Sequence, residues 1–167
     1  PRCHPGTRTA VLQTLEDWAQ IQGAEDSNPS HILWLFGPAK VGKSAIAGSY
    51  AAAQAKKHRL AASFFFPPNS GYSTIEDESQ HLEKYLIPTI AFQMAFSIPE
   101  LQPHIARAVE KDPIILHRSP ETQVEQLITV HILSLTTSAA FRLPRTIVID
   151  GLDKCGDQDY QQRILAV

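Results

Sequence analysis

The sequence has few of the residues that build disulfide frameworks and metal sites. Its 167 residues include two cysteines, Cys3 and Cys155, which lie near opposite ends of the chain and form no C-x-x-C pair. This spacing argues against a disulfide framework and against a structural zinc site. The seven histidines are scattered, with no two of them three or four positions apart, so we expect no helical metal site. A reducing compartment, the cytoplasm, is the expected location.

The chain also lacks a strong charge imbalance and a long apolar run. Its formal net charge is −2, from 15 Lys and Arg residues against 17 Asp and Glu residues. This balance offers no broad basic surface to a nucleic acid. No apolar run approaches the roughly 18 residues of a membrane-spanning helix, and the start PRCHPGTR lacks the form of a signal peptide. We therefore expect neither a nucleic acid nor a membrane as a partner.

The order of apolar runs and helical patterns predicts one α/β domain. A chain of this length with 43% hydrophobic residues is long enough for a sizeable core. Short apolar runs of strand length predict buried strands of a parallel sheet, and apolar residues at helical spacing predict helices between them. The predicted strands are 32–36, 60–66 and 145–150. The predicted helices are a first one capped by Thr7 and ending near Gly23, then 43–58, 79–97, 99–111 starting at Pro99, and 119–135 starting after Ser119.

Residues 37–44 read GPAKVGKS and follow the apolar run ILWLF at 32–36. The spacing G-x-x-x-x-G-K-S is that of a P-loop, here between a predicted buried strand and a predicted helix start. Gly42 lets the backbone approach phosphate oxygens, where N–H groups at the helix start stabilise negative charge. Lys43 reaches the outer phosphates, and the Ser44 hydroxyl is available to Mg²⁺. The predicted phosphate cradle consists of Gly37, Pro38, Ala39, Lys40, Val41, Gly42, Lys43, Ser44 and Ala45.

Asp150 ends the apolar run TIVI. A Walker B carboxylate, which helps to hold Mg²⁺, lies at this place in a P-loop protein. Many strands end in a turn-forming Asp, so the interpretation depends on the presence of GPAKVGKS in the same chain. The sequence thus predicts Ser44 and Asp150 as the Mg²⁺ site. Asp153 is the predicted catalytic residue that orients or deprotonates the attacking water, with a loop or helix-cap role as the alternative.

Three further blocks carry a resemblance to a known family: LAASFFF, YLIPTIAFQMAFSIPEL and IVIDGLDKC. With them, the chain resembles the nucleotide-binding core of NACHT-type NTPases of the STAND class, particularly the fungal relatives of NOD-like receptors. The matching blocks extend from Cys3 to Cys155. The resemblance implies a three-layer P-loop sandwich with a mainly parallel central sheet. It further implies a single partial domain, with an N-terminal helix and lead-in loop at 1–30 and a P-loop core at 31–167, truncated after the Walker B strand.

The same resemblance implies a function. We expect the domain to bind ATP or GTP with Mg²⁺ as a signal-transduction switch, and to self-associate within the full protein. It also implies that Gly6, Thr7 and Arg8 lie near the base and ribose, although a helix-capping turn explains the same residues.

Two positions depart from the family pattern. Lys40 stands where glycine is common, and a residue with a side chain at φ > 0 costs on the order of 1 kcal/mol. Lys154 stands where an acid usually follows Asp153. If that acid polarises water, its loss lowers turnover by about 10²- to 10⁴-fold, so we expect weak or absent hydrolysis.

Two other readings of the sequence remain open. In the first, the chain is a non-catalytic interaction scaffold with a vestigial nucleotide site, as Lys40 and Lys154 suggest. In the second, it is a P-loop kinase for a small molecule or nucleotide. A kinase needs an acceptor site and a lid that supplies arginines, and the arginines between the two motifs form no evident cluster. The phosphate motifs do not separate ATP from GTP.

Overall fold

The computed structural model describes residues 1–21, 31–67, 78–135, 144–154 and 158–166. Within it, the chain divides into two compact units, Pro1–Lys57 and His58–Val167. The expectation of one domain over 1–167 stays a prediction. Among the described residues, no helix is both long and apolar enough to cross a bilayer.

The first unit contains two helices, α1 at Thr9–Ile21 and α2 at Lys43–Lys56. Leu15 of α1 and Ile46 and Tyr50 of α2 are buried. The Tyr50 hydroxyl donates to the carbonyl oxygen of Leu15 at 3.2 Å, which satisfies a polar group inside this small core. The start of α2 confirms the helix predicted directly after the GPAKVGKS loop.

Glu16 adds a polar connection between the two helices. One of its carboxylate oxygens accepts from Lys57 Nζ at 2.8 Å, and the other accepts from Gln54 Nε2 at 2.6 Å. The hydrogen bond from Lys57 is the main cause that lowers the pKa of Glu16 to about 2, with smaller contributions from Gln20 and Gln54. The carboxylate therefore remains ionised, and the connection remains intact, well into the acid range.

The predicted strand at 32–36 is wrong. Residues 31–37 are not in a strand, and Ile32, Trp34 and Phe36 have exposed fractions of 66%, 59% and 82%. A strand buried on both faces needs neighbouring strands for its backbone and helices over both faces. The apolar run ILWLF reports hydrophobicity but not whether such partners are present. The helix cap predicted at Thr7 is also wrong, because α1 begins at Thr9 and Arg8 is the residue that precedes it. The Thr7 hydroxyl donates instead to the carbonyl of His4 at 2.7 Å.

The second unit contains a parallel pair of strands, β1 at Leu60–Phe65 and β2 at Thr146–Asp150. Phe65 lies opposite Asp150 in the register. Both predicted strands are thereby confirmed. The described part of the chain is a mixed helix and strand protein with a short parallel sheet, which is compatible with the α/β class.

Helical segments connect and follow the two strands. The α-helices of this unit are α3 at Leu86–Ser97, α4 at Gln102–Lys111, α5 at Pro120–Val124, α6 at Val130–Ser134 and α7 at Gln158–Ala166. Shorter 3₁₀ turns lie at Glu78–Tyr85, Pro99–Leu101, Pro113–His117 and Leu152–Lys154, and a π turn at Glu125–Thr129 joins α5 to α6. The three predicted helical regions between 79 and 135 are confirmed. Pro99 occupies a first-turn position, and Ser119 Oγ accepts from the Thr122 N–H at 3.4 Å as a cap.

The core of the second unit forms where α3 packs on β1. Leu86, Ile90 and Met94 of α3 are buried together with Ala61 and Ala62 of β1. Small alanines on the strand allow the helix to approach the sheet closely. The apolar residues at helical spacing in the predicted helix 79–97 therefore belong to the core.

The outer edge of β1 is closed by side chains of α3. The Gln93 amide accepts from the Ser63 N–H at 2.9 Å and donates to the Ser63 carbonyl at 2.8 Å. Ser97 Oγ donates to the carbonyl of Ala61 at 2.7 Å. These bonds occupy backbone groups on the side away from β2, where a further strand would otherwise pair. Gln93 thus replaces a neighbouring strand at this edge.

The strand β2 is less enclosed than the sequence suggests. Ile147 is 44% exposed and Ile149 is 39% exposed, while Thr146, Val148 and Asp150 are half-buried. The expectation of a strand buried on both faces is wrong for β2 within the described residues. Alternation of exposure along the strand shows that one of its faces is covered less than the other.

We expect Gln93→Leu to destabilise the second unit and to promote self-association. The substitution keeps the size of the side chain but leaves the Ser63 N–H and carbonyl without their amide partner, at a cost of about 1 to 2 kcal/mol. An open strand edge also pairs readily with other chains. Urea unfolding and sedimentation velocity at several concentrations measure both effects. Gln102→Leu, the same change at an exposed position of α4, is the matched control, and equal behaviour of the two variants would contradict the edge role of Gln93.

Candidate functional site

The GPAKVGKS loop, residues 37–44, follows a backbone path with three positive φ angles. They are 153° at Gly37, 65° at Lys40 and 93° at Gly42. Lys40 is in the left-handed region that disfavours residues with a Cβ. The sequence-based concern about this position is confirmed, because the loop keeps the conformation that glycine would accept without strain.

Gly42 ends the loop and precedes the first residue of α2. Its left-handed conformation is accompanied by no side-chain cap on the helix. The helical hydrogen bonds begin with the Ile46 N–H, which donates to the Gly42 carbonyl at 3.0 Å. The N–H groups of Lys43, Ser44 and Ala45 precede this first bond, as at any helix N-terminus. A Cβ built on Gly42 would meet no atom within 4 Å, so the space beside this turn is open.

The Lys43 side chain folds back over the loop. Its ammonium group donates to the carbonyl oxygens of Gly37 and Pro38, each at 2.9 Å. Two backbone carbonyls at the start of the loop thus hold the positive charge of Lys43 against the loop backbone. Residues 37–41 are exposed and residues 42–45 are half-buried. The nine predicted cradle residues therefore form one continuous and accessible feature, with the half-buried Ser44 in the first turn of α2.

Asp150 and Asp153 lie in the second unit, at the carboxyl end of β2. Asp150 is the last residue of the strand and is half-buried, and its carbonyl accepts from the Phe66 N–H at 2.9 Å. Gly151 then reverses the chain with φ 80°. Asp153 follows in the 3₁₀ turn Leu152–Lys154 and is exposed. A carboxylate at the end of a parallel strand is at the edge where α/β proteins bind ligands.

Both the backbone and the side chain of Lys154 are hydrogen-bonded at the turn after β2. Its backbone N–H donates to the Gly151 carbonyl at 2.8 Å, and its ammonium donates to the Phe66 carbonyl at 3.4 Å. A Cβ built on Gly151 would lie 3.1 Å from the ammonium nitrogen. The side chain therefore folds over the turn at Gly151 and carries a positive charge to the end of β1.

The predicted site residues divide between the two units. The nine cradle residues, including Ser44, lie in the first unit, whereas Asp150 and Asp153 lie in the second. A shared Mg²⁺ site of Ser44 and Asp150 stays a prediction. Within the described ranges, no three His, Cys, Asp or Glu side chains are grouped closely enough to hold a metal ion.

A contact between Arg8 and the loop was not predicted from the sequence. Arg8 Nη2 donates to the carbonyl of Val41 at 3.0 Å. Gly6 and Arg8 have φ angles of 77° and 59°, and the Leu12 N–H donates to the Arg8 carbonyl at 3.0 Å as α1 begins. The Pro-Gly pair at 5–6 indicates a turn before α1. Nothing in the sequence indicates where that turn directs the arginine, which is long and flexible.

The fold and this loop define the class as a mixed helix and strand protein with a parallel sheet and a glycine-bearing turn at a helix start. The model of the family described as Nephrocystin 3, N-terminal, matches residues 6–167, and the chain belongs to this family. That family is related to the NACHT and STAND type of NTPase region. A search of curated proteins and a search of solved structures found no match.

We expect Lys40→Gly to stabilise the protein by up to about 1 kcal/mol. Glycine removes the left-handed penalty of about 1 to 2 kcal/mol but loses about 0.5 to 1 kcal/mol through greater freedom of the unfolded chain. Urea unfolding provides the measurement. The control is Lys56→Gly in the last turn of α2, where φ is helical and glycine should destabilise. Destabilisation of both variants to the same extent would show that the φ of 65° stores no strain.

Proposed function

We propose that the chain is a Mg²⁺-nucleoside triphosphate binding module. In this proposal it is the NACHT-type switch domain of a fungal NOD-like receptor relative, built on a P-loop sandwich, with weak or absent hydrolysis. The observation that carries the proposal is the loop geometry, with Gly42 left-handed at the start of an uncapped α2. Membership of a family related to NACHT and STAND regions supports it further.

The loop has the chemistry that a phosphate group requires. The N–H groups that open α2 combine with the positive end of the helix dipole, and no acidic residue lies in the first turn of this helix. Lys40 and Lys43 add two positive charges to the same loop. The open space at Gly42 leaves access for phosphate oxygens, since a side chain there would stand beside the turn. Lys43 would exchange its two carbonyl partners for the outer phosphates.

The oxygen donors of Ser44 and Asp150 suit Mg²⁺, which prefers hydroxyl, carboxylate and water oxygens. When bound, the ion would neutralise developing charge on the phosphates. Ser44 would hold it directly from the first turn of α2, and Asp150 from the end of β2. Asp153 is exposed on the turn after β2 and would orient the attacking water. ATP and GTP are both candidate ligands.

The turn at the end of β2 supports weak hydrolysis. The NACHT-type pattern that the sequence resembles has an acid directly after the position of Asp153, and this chain has Lys154. An ammonium group has no acceptor and cannot take a proton from water, and that of Lys154 donates instead to the Phe66 carbonyl at 3.4 Å. Asp153 is then the one carboxylate of the described turn Leu152–Lys154.

Titration calorimetry with Mg²⁺ and a non-hydrolysable ATP or GTP analogue tests the binding proposal. We expect Lys43→Ala to weaken binding at least about 100-fold, because a charge-assisted interaction with phosphate is lost at the centre of the cradle. Asp150→Asn should weaken binding only when Mg²⁺ is present. Lys56→Ala, in the last turn of the same helix, is the charge-matched control. Equal affinity of Lys43→Ala and wild type would overturn the proposal.

A second test concerns the residue after Asp153. We expect Lys154→Glu to raise the rate of nucleotide hydrolysis by about 10- to 100-fold, since it supplies a carboxylate that can polarise water. The measurement is phosphate release under saturating Mg²⁺ and nucleotide. Lys154→Gln removes the charge without supplying a base and should leave the rate near that of wild type. If both variants hydrolyse nucleotide faster than wild type and by the same factor, removal of the Lys154 charge and not supply of a base controls turnover.

The alternative function is a non-catalytic interaction scaffold with a vestigial nucleotide site. The exposure of Ile32, Trp34 and Phe36 favours this candidate, because large exposed apolar side chains that lie close together commonly mark protein interaction surfaces. The same calorimetry separates the two functions. A folded sample that binds no nucleotide, and whose thermal stability is unchanged by Mg²⁺ with either analogue, would favour the scaffold.

A further inference from the structure

The N-terminal segment, residues 1–8, contacts the first half of α2 at one end and the GPAKVGKS loop at the other. The Cys3 N–H donates to Ser49 Oγ at 2.8 Å. The Arg8 guanidinium donates to the carbonyl of Val41 at 3.0 Å. The two bonds join sequence positions that are 46 and 33 residues apart, so the segment crosses from the helix to the loop within eight residues.

Gly48 of α2 has the space that this crossing needs. A Cβ built on Gly48 would overlap the carbonyl oxygen of Pro1 and would lie 3.5 Å from its carbonyl carbon. Glycine in a helix interior is destabilising relative to alanine. Its presence here is explained by the close approach of the N-terminal backbone to the helix.

The turn before α1 directs Arg8 to the loop. The Thr7 N–H and hydroxyl both bond to the His4 carbonyl, at 3.1 and 2.7 Å, which closes the turn. Gly6 and Arg8 complete it with left-handed φ angles of 77° and 59°. A residue with a Cβ is strained at the φ of Arg8, and its guanidinium bond to Val41 is the contact that this conformation permits.

We propose that residues 1–8 are a strap that holds the GPAKVGKS loop in position, with Arg8 as the positioning residue. Arg8 fixes the carbonyl of Val41, which directly precedes Gly42. It thereby restrains the peptide that leads into the first turn of α2. The strap acts on the nucleotide-free protein; its effect on nucleotide affinity rests on the proposed function.

The first test is amide hydrogen exchange on the whole chain without nucleotide. Arg8→Ala keeps a Cβ at the strained φ but removes the bond to Val41, so exchange at residues 46 and 47, the first amides of α2 with intrahelical hydrogen bonds, should accelerate about fivefold, the factor expected for one net hydrogen bond. Gly48→Ala should have a similar effect by displacing the segment at Pro1, although alanine favours the helix. Arg2→Ala, at an exposed arginine of the same segment, is the charge-matched control and should change nothing.

Two measurements keep the result specific to the strap. Exchange in the last turns of α2, residues 51–56, reports whether a variant still folds and should be unchanged in all three. Arg8→Lys retains a donor for the Val41 carbonyl and should restore part of the protection. Unchanged exchange at residues 46 and 47 in Arg8→Ala, or the same acceleration in Arg2→Ala, would overturn the proposal.

Nucleotide affinity is the second readout. With Mg²⁺ and the non-hydrolysable analogue, Arg8→Ala should weaken binding about fivefold while Arg2→Ala binds as wild type. If wild-type protein binds no nucleotide, the proposed function fails and the exchange measurement still decides on the strap. If wild type binds and Arg8→Ala binds equally well despite faster exchange, Arg8 orders the loop without preparing it for the nucleotide, and the positioning role is wrong.

Discussion

The start of α2 has an excess of positive electrostatic potential, and the arrangement of the first unit depends on it. The helix begins without a capping side chain and without an acidic residue in its first turn. Lys40 and Lys43 increase this positive character. Within the loop, the compensation comes from backbone carbonyls, since Gly37 and Pro38 accept from Lys43 and Val41 accepts from Arg8. A helix N-terminus that meets carbonyl dipoles and no acidic residue in its first turn is well suited to an anion.

This electrostatic arrangement requires a particular backbone. The loop carbonyls accept from Lys43 and Arg8 in a chain that adopts left-handed conformations at Lys40 and Gly42. Glycine makes this favourable at position 42, whereas Lys40 is strained and retains its conformation through the surrounding loop. Strain of this kind is concentrated at ligand-binding turns in proteins, where surrounding contacts maintain it.

The second unit places its carboxylates by a different principle. Parallel pairing of β1 with β2 brings the ends of both strands to one edge, so Asp150 lies opposite Phe65. The helix α3 fixes β1 from one face and from its outer edge, because Gln93 and Ser97 bond to its backbone. The turn after Asp150 is then shaped by Gly151 and covered by Lys154. The charge next to Asp153 is therefore set by one residue that packs against the strand end.

Local sequence patterns predicted the elements whose stability is local. Helical spacing identified α3 and its buried face, and the Pro-Glu start after Ser119 identified the beginning of α5, because caps and periodicity act within a few residues. The strands β1 and β2 were also predicted from short apolar runs closed by turn residues. The same pattern failed at 32–36, since hydrophobicity does not specify a pairing partner, and the family match itself says nothing about pairing.

The sequence by itself determined the order of helices, the two paired strands, and the residues of the GPAKVGKS loop with its lysines and glycines. Tertiary structure alone decided how these residues interact. It directed Arg8 to Val41, Gln93 to Ser63 and Lys154 to Phe66. Each of these is a bond from a long side chain to a backbone group that is distant in the sequence. The physical reason is that such a bond depends on where the fold brings the backbone, and the free energy of one hydrogen bond is too small to impose that position from the sequence.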